Sequence, residues 1–364
     1  MKVLIAVGKS GGHIFPGLSL ASRLQQRLKG PEVFFIGQKD RLTQKVFSKQ
    51  QYPLFTISID PLPYKISLKY TRFIIKLALA IVPVWRILSK TRPDVVIGFG
   101  GAVSGPVLFI SWLRGIPTII HEQNVVPGRT NRILAVFVNK VALSFSGSER
   151  FFNRAKAVLT GNPVRGSVLG RDKFRSRGEL GLDSGKFTIL VIGGSQGSSR
   201  LNEIAWRAFS QMDKQEKVDF QIIHITGEND YRKAKECYRK ITFSSVILPF
   251  YDKIGVAYSA SDLVLARAGA GTISEIMSCG LGSVLVPYPY NGGHQLSNAR
   301  LLADRNSAIL MEQNGISAES LKNVFLNLIK DRSNLDRMAK NSREAGRPYA
   351  DESLADEVIK LVNK

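Results

Sequence analysis

The chain has 364 residues, more than one typical domain and enough for two, each with its own core. An apolar fraction of 44% with ordinary aromatic content excludes a disordered chain and describes a soluble globular one. Charge is the outlier: 51 Lys and Arg against 29 Asp and Glu give a formal net charge of +22, which points to nucleic acid, an anionic membrane surface or phosphorylated substrates without choosing among them.

The opening MKVLIAV is too short for a signal sequence, and no run approaches the ~18 apolar residues of a membrane span, so a cytoplasmic protein is expected. Val3–Val7 reads as a buried strand, followed by the loop Gly8-Lys9-Ser10-Gly11-Gly12-His13 and a helix opening near Pro16, with Leu20, Leu24 and Leu28 on one face. Gly8-Lys9-Ser10 is not a nucleotide-kinase P-loop, because Val3 stands where that motif needs its first glycine. Further strands fit Glu32–Gly37, Asp94–Phe99, Thr118–His121, Val141–Phe145 and Ala157–Leu159, with helical segments between several of them. This alternation predicts a doubly wound parallel sheet.

Residues 61–93 differ in character, holding seven Lys or Arg and no Asp or Glu. Ile74, Ile75, Leu79, Val82 and Trp85 fall near helical spacing with cations beside them. They suit an amphipathic element touching an anionic bilayer, or a core helix with a solvated basic face. Membrane contact through Ile75, Leu79, Val82 and Trp85 is the favoured reading.

The pattern breaks at Gly161-Asn162-Pro163-Val164-Arg165, and a polar stretch follows from Arg171 to Lys186. The expected domains are 1–163 and 164–350, with a helix over 351–364 packing back on the first. In the second half a strand at Thr188–Ile192 meets Gly193-Gly194-Ser195-Gln196-Gly197 and a helix beginning near Leu201; more strands fit Gln221–Ile225, Val246–Leu248, Asp262–Ala266, Gly282–Pro287 and Ala308–Met311. Two similar α/β domains are thus predicted, each opening with a strand and a glycine loop, their strand ends facing one cleft.

Between Asp262–Ala266 and Gly282–Pro287, the turn Arg267-Ala268-Gly269-Ala270-Gly271 leads into Thr272-Ile273-Ser274-Glu275, which has capping-box spacing, and Gly280 should end that helix. A helix N-terminus behind a glycine loop suits a phosphate, although such loops are also ordinary α/β connections. The two cysteines, Cys237 and Cys279, match no metal spacing and read as reduced thiols. The chain lacks a GxGxxG fingerprint, so dehydrogenases are disfavoured. It also lacks zincin, EF-hand and GxSxG motifs and an Asp-x-Asp metal clamp, so no dedicated metal site and no tightly bound cofactor are expected. A metal-free site must hold a diphosphate with backbone N–H groups, helix dipoles and a basic side chain.

Six motifs together carry a resemblance: Gly11-Gly12-His13, His121-Glu122-Gln123-Asn124, Gly161-Asn162-Pro163-Val164-Arg165, Gly193-Gly194-Ser195-Gln196-Gly197, Thr272-Ile273-Ser274-Glu275, and His294-Gln295 with Asn298-Ala299. In that order, and across essentially the whole length, the chain resembles the MurG family of bacterial N-acetylglucosaminyltransferases, which convert lipid I to lipid II in peptidoglycan synthesis. The resemblance implies a GT-B fold with two Rossmann-like domains and an inverting transfer from UDP-GlcNAc. It also implies a lipid-diphosphate acceptor at the cytoplasmic face of the plasma membrane, where other cell-wall synthesis proteins are candidate partners and nucleic acid is not.

Position by position, the resemblance gives Gly194, Ser195, Gln196, Gly197 and Arg165 to the donor diphosphate, and Ala270, Gly271, Thr272, Ile273 and Ser274 to a second helix N-terminus beside it. Glu275 should meet the ribose, Tyr251 and Ile254 the uracil, and Gln295 and Asn124 the GlcNAc hydroxyls, with His294 near the nucleotide. Ser10, Gly11 and Gly12 should lie at the reacting end, where His13 is the candidate general base, with an ordinary pKa suited to that task. Among the other histidines, His224 sits in an apolar strand and reads as core, and His121 reads as an orienter of Glu122 or of the Asn124 loop. Lys9 and Ala102 depart from the family pattern, in residues expected to handle the acceptor. Competing readings are a transferase for another lipid acceptor, a UDP-GlcNAc epimerase, and a non-catalytic basic membrane- or nucleic-acid-binding module.

Overall fold

The computed structural model describes residues 1–63, 68–194, 197–215, 219–290 and 293–363. It divides into two compact units, Met1–Arg165 with Tyr349–Lys364, and Gly166–Pro348.

The first unit is a seven-stranded parallel sheet built from β1 (Lys2–Ala6), β2 (Glu32–Gln38), β3 (Leu54–Ile57), β4 (Val95–Gly98), β5 (Thr118–Glu122), β6 (Lys140–Leu143) and β7 (Ala157–Leu159). Their spatial order is β3-β2-β1-β4-β5-β6-β7. β1 is apolar and buried nearly throughout because both its faces are covered, and Ile5 lies opposite Phe35 on one side and Ile97 on the other. The order reverses between β1 and β4, the switch point outside which ligands of open parallel sheets bind. β3 is a four-residue edge strand that the sequence reading passed over; it pairs with β2 through Leu54 to Ile57.

The connecting helices are α1 (Gly11–Arg27), α2 (Arg41–Phe47), α3 (Leu68–Thr91), α4 (Gly101–Leu113) and α5 (Arg129–Leu134). One face of the sheet packs Ile14, Leu20 and Leu24 of α1 with Leu354, Ala355 and Val358 of the C-terminal helix (Ala350–Val362), and the other packs Val84 and Leu88 of α3 with Val103 and Val107 of α4. Arg23 and Arg27 of α1 pair with Asp351 and Asp356 of that terminal helix. α1 begins five residues earlier than Pro16 suggested. Ser10 takes the extended N-cap conformation, so Gly11, Gly12 and His13 form the first turn, and Pro16 forgoes only the bond to the Gly12 carbonyl.

The second unit has six parallel strands: β8 (Phe187–Ile192), β9 (Phe220–Ile225), β10 (Ser245–Leu248), β11 (Leu263–Ala266), β12 (Gly282–Leu285) and β13 (Ala308–Leu310), ordered β10-β9-β8-β11-β12-β13. Around them run α6 (Lys173–Glu179), α7 (Ser199–Gln215), α8 (Tyr231–Tyr238), α9 (Ile254–Ala260), α10 (Ala270–Cys279), α11 (His294–Ala303), α12 (Ala318–Lys330) and α13 (Arg332–Ala345), before the C-terminal helix, α14, returns to the first unit. The expected capping box does not form. Gly269 is the N-cap of α10, so Thr272 and Glu275 are its third and sixth residues, and Glu275 instead accepts a bond from the Tyr258 hydroxyl at 3.0 Å. Gly280 ends that helix as expected.

Candidate active site

In the first unit, the loops that follow β1 and β4 close on His13. Its Nδ1 lies 3.0 Å from Ser10 Oγ. The ring is only partly exposed, and a Cβ on Gly8 would stand 2.5 Å from Nδ1, so only glycine lets the β1 loop close over it. Gly100, at the end of β4, flanks the other ring nitrogen. Burial without a carboxylate partner lowers the His13 pKa to about 4, so the imidazole is neutral at pH 7 and can accept a proton.

β5 ends in His121 and Glu122, both buried. His121 Nε2 donates to the Gly161 carbonyl at 2.9 Å, and Nδ1 accepts from Gln123 at 3.1 Å, which fixes a neutral ring whose pKa burial lowers to about 4. His121 therefore ties β5 to the start of the 161–165 segment. Glu122 organises the loop beyond it. One oxygen accepts from the Asn124 backbone N–H at 2.9 Å, and the other from Gly128 N–H at 3.1 Å and Asn131 Nδ2 at 2.8 Å. Burial raises its pKa, opposed by those bonds. Arg165 stacks its guanidinium 4.6 Å from the centre of the Phe15 ring on α1. Ser10, Gly11, Gly12 and His13 are thus gathered on one turn after β1, and Asn124 is held at the end of β5, two strands away.

In the second unit, the segments after β8, β10, β11 and β12 carry the remaining candidates. Gly194 and Gly197 bracket the β8–α7 turn; Ser195 and Gln196 lie outside the described residues. Gly197 has φ 76, and a Cβ there would stand 2.2 Å from the Thr226 carbonyl oxygen, so the turn is pressed against the end of β9. Ala270, Gly271 and Thr272 open α10, where the first N–H groups have no partner inside the helix, and Ile273 and Ser274 complete its first turn. Glu275 is joined through Tyr258 to α9, whose first residue is Ile254, one helical turn before Tyr258. Tyr251 precedes that helix, its phenol pKa raised by burial. His294 and Gln295 begin α11, Gln295 accepts from the Tyr288 backbone N–H at 2.9 Å, and Asn298 binds the Ala268 carbonyl at 3.1 Å. These contacts draw α11 onto the β11–α10 turn.

His224 is buried and fully engaged, as its strand position implied. Its Nε2 donates to Asn202 Oδ1 at 2.9 Å, while Nδ1 accepts from the Tyr238 hydroxyl at 2.8 Å. Sequence reading gave no role of their own to Glu122 and Arg267, two of the buried charges. Each sits at the end of an apolar strand, the one signal that could have marked them.

The amphipathic element is α3. Its buried stripe is Ala80, Val84 and Leu88, and a second apolar stripe faces outward, with Ile75 54%, Leu79 69%, Val82 53% and Trp85 51% exposed. Phe109, Trp112 and Leu113 of the adjoining α4 extend it, and these were not anticipated. Arg114 stacks on Trp85 at 4.8 Å. Among the described residues no helix is long and apolar enough to cross a membrane.

Two family models match in chain order, the glycosyltransferase family 28 N-terminal domain over residues 3–143 and its C-terminal domain over 188–354. The UDP-N-acetylglucosamine--N-acetylmuramyl-(pentapeptide) pyrophosphoryl-undecaprenol N-acetylglucosamine transferase of Ruminiclostridium cellulolyticum is 40% identical over 94% of each chain, and its counterpart from Halothermothrix orenii is 36% identical over 97% of each. The crystal structure of Acinetobacter baumannii MurG superposes with a TM-score of 0.78 at 29% identity, covering 99% of each chain. Two parallel-sheet units with glycine turns at their switch points, together with these full-length matches, place the chain in the MurG family of glycosyltransferase family 28, with a GT-B fold.

Proposed function

We propose that the chain transfers GlcNAc from UDP-GlcNAc to the 4-hydroxyl of the MurNAc unit of undecaprenyl-pyrophosphoryl-MurNAc-pentapeptide, forming lipid II. The observation that carries this reading is the match of 36% identity over 97% of the chain to a transferase named for that reaction. In this reading the acceptor oxygen attacks C1 of GlcNAc, the C1–O bond to the β-phosphate breaks, UDP departs and the configuration inverts. His13 takes the hydroxyl proton. For Nε2 to accept it, Nδ1 carries the other proton and donates to Ser10.

UDP is held by the β8–α7 turn with Gly194, Ser195, Gln196 and Gly197, by Arg165, and by the α10 N-terminus from Ala270 to Ser274. Unpaired N–H groups stabilise the charge that grows on the leaving diphosphate. Glu275 accepts from the ribose hydroxyls while keeping its bond to Tyr258, since a carboxylate has lone pairs for both. Tyr251 and Ile254 flank the uracil, His294 lies by the nucleotide, and Gln295 and Asn124 meet the sugar hydroxyls. Ser10, Gly11 and Gly12 line the reacting end.

The outward stripe of α3 rests on the cytoplasmic face of an anionic membrane. Supporting this, it joins exposed Ile75, Leu79, Val82 and Trp85 to a segment rich in cations. UDP release from UDP-GlcNAc with a soluble lipid I analogue tests the assignment. Turnover is expected only when the acceptor is present; release of UDP without it, or donor binding with no reaction of the muramyl acceptor, overturns it.

A further inference from the structure

Arg267 follows β11 directly and is 5% exposed, yet among the described residues its hydrogen bonds go to neutral groups. Nε and Nη2 reach Ser198 Oγ at 3.0 and 2.8 Å, Nη2 also reaches Gln313 Oε1 at 2.5 Å, and Nη1 reaches the Val286 and Pro287 carbonyls at 2.9 and 3.4 Å. Among the described residues no Asp or Glu pairs with it. Burial lowers its pKa to about 10, which still leaves it cationic at pH 7. A desolvated charge without a counter-charge is strongly unfavourable, and removing one partner of a pair is what ordinarily creates one. The guanidinium also ties together the chain following β8, β12 and β13.

Ser198 gives this charge a direction. Its Oγ accepts two N–H groups from Arg267, which occupies both lone pairs, so its own proton is available only for donation outward. It stands at the end of the glycine turn, immediately before α7, beside Gly197.

We propose that Arg267 is the built-in counter-charge for a nucleoside diphosphate bound at the β8–α7 turn, and that it acts through Ser198, which it converts into an obligate hydrogen-bond donor to the phosphates. Arg267 is thereby a positioning residue, since its own donors are all engaged. The inference rests on the donor reading above and adds to it the origin of the preference for a diphosphate over a bare nucleoside.

The test is calorimetric binding of UDP and of uridine to the intact chain, for wild type, Arg267→Lys, Arg267→Met and Ser198→Ala. Arg267→Met is expected to cut the UDP-to-uridine affinity ratio about tenfold or more while uridine affinity stays the same. Arg267→Lys should keep most of the ratio, because the charge remains, and Ser198→Ala should lose about threefold to tenfold. The proposal is overturned if Arg267→Met keeps the wild-type ratio, or if UDP and uridine weaken together, which is the mark of a merely structural arginine. Should Arg267→Met fail to fold, Ser198→Ala decides the matter alone: an unchanged ratio there overturns the proposal. A wild-type chain that does not prefer UDP to uridine overturns the donor reading itself, a result distinct from a preference that survives Arg267→Met.

Discussion

Residues 1–165 with 349–364 carry 26 Lys and Arg against 10 Asp and Glu, whereas residues 166–348 carry 25 against 19. The strand order is the same in both, apart from the extra edge strand of the first sheet. The first unit therefore carries +16 of the +22, in one of two copies of a common frame, the copy that also exposes Leu79, Val82 and Trp85. In the second unit the proposed chemistry for anions is internal: the backbone N–H groups that open α10 and the buried Arg267. In the proposed reading the contrast is between holding an anion by preorganised dipoles and being drawn to an anionic surface by exposed side chains.

The largest effect that tests this contrast is His13→Ala. It should lower kcat about 10²- to 10⁴-fold with UDP affinity unchanged, as measured by turnover and calorimetry. Lost UDP binding instead would move His13 from the reaction to the donor.

Acid comes next. His13, His121 and His224 have folded pKa values near 4, 4 and 3, below the ordinary 6.5, so the unfolded chain binds more protons as pH falls. Stability should be complete above pH 6.5 and drain away between 6.5 and about 4, by about 2 kcal/mol at pH 5 for each fully buried ring, His121 and His224. Urea midpoints at pH 7.5 and 5 measure it. Two of the three rings lie in the first unit, so fragments of native structure protected at pH 5 by hydrogen exchange should come from the second.

Gly197→Ala should follow, since a Cβ meets the Thr226 carbonyl and the backbone has positive φ. Strain of about 1–3 kcal/mol translates into a UDP affinity lower by about tenfold. Equal damage to acceptor affinity would erase the division of labour.

Of similar size is the paired change Leu79→Ser and Trp85→Ser. Sedimentation with anionic vesicles should fall about tenfold, with kcat on a soluble acceptor the same. Unchanged sedimentation would leave the basic surface, not the apolar stripe, in charge of the membrane.

Much of this frame was legible in the residues. Period and apolar runs gave the buried strands, because a parallel strand covered on both faces is nearly all apolar, as β11 is and as β8 is but for Thr188. The edge strand β3 was not legible, being short and half-covered, which weakens the apolar signal. Helix starts were misjudged at Pro16 and at Thr272, where proline and capping-box rules were applied to segments whose N-caps are an extended Ser10 and Gly269. Glycine permits several conformations, so sequence alone could not say which one ends the turn. Arg267 escaped notice because its partners, Ser198, Val286 and Gln313, are far from it along the chain and are brought together only by the sheet order.

The terminal helix α14 has a consequence for synthesis. Leu354, Ala355 and Val358 belong to the core beneath α1, so that core lacks part of its apolar cover until residues 350–362 have been made. At ordinary translation rates, the stretch from Arg165 to Ala350 takes about ten to forty seconds. For that interval the nascent first unit lacks the cover that Leu354, Ala355 and Val358 give to the core holding Leu20 and Leu24, while the second unit has all its own residues once Pro348 is made.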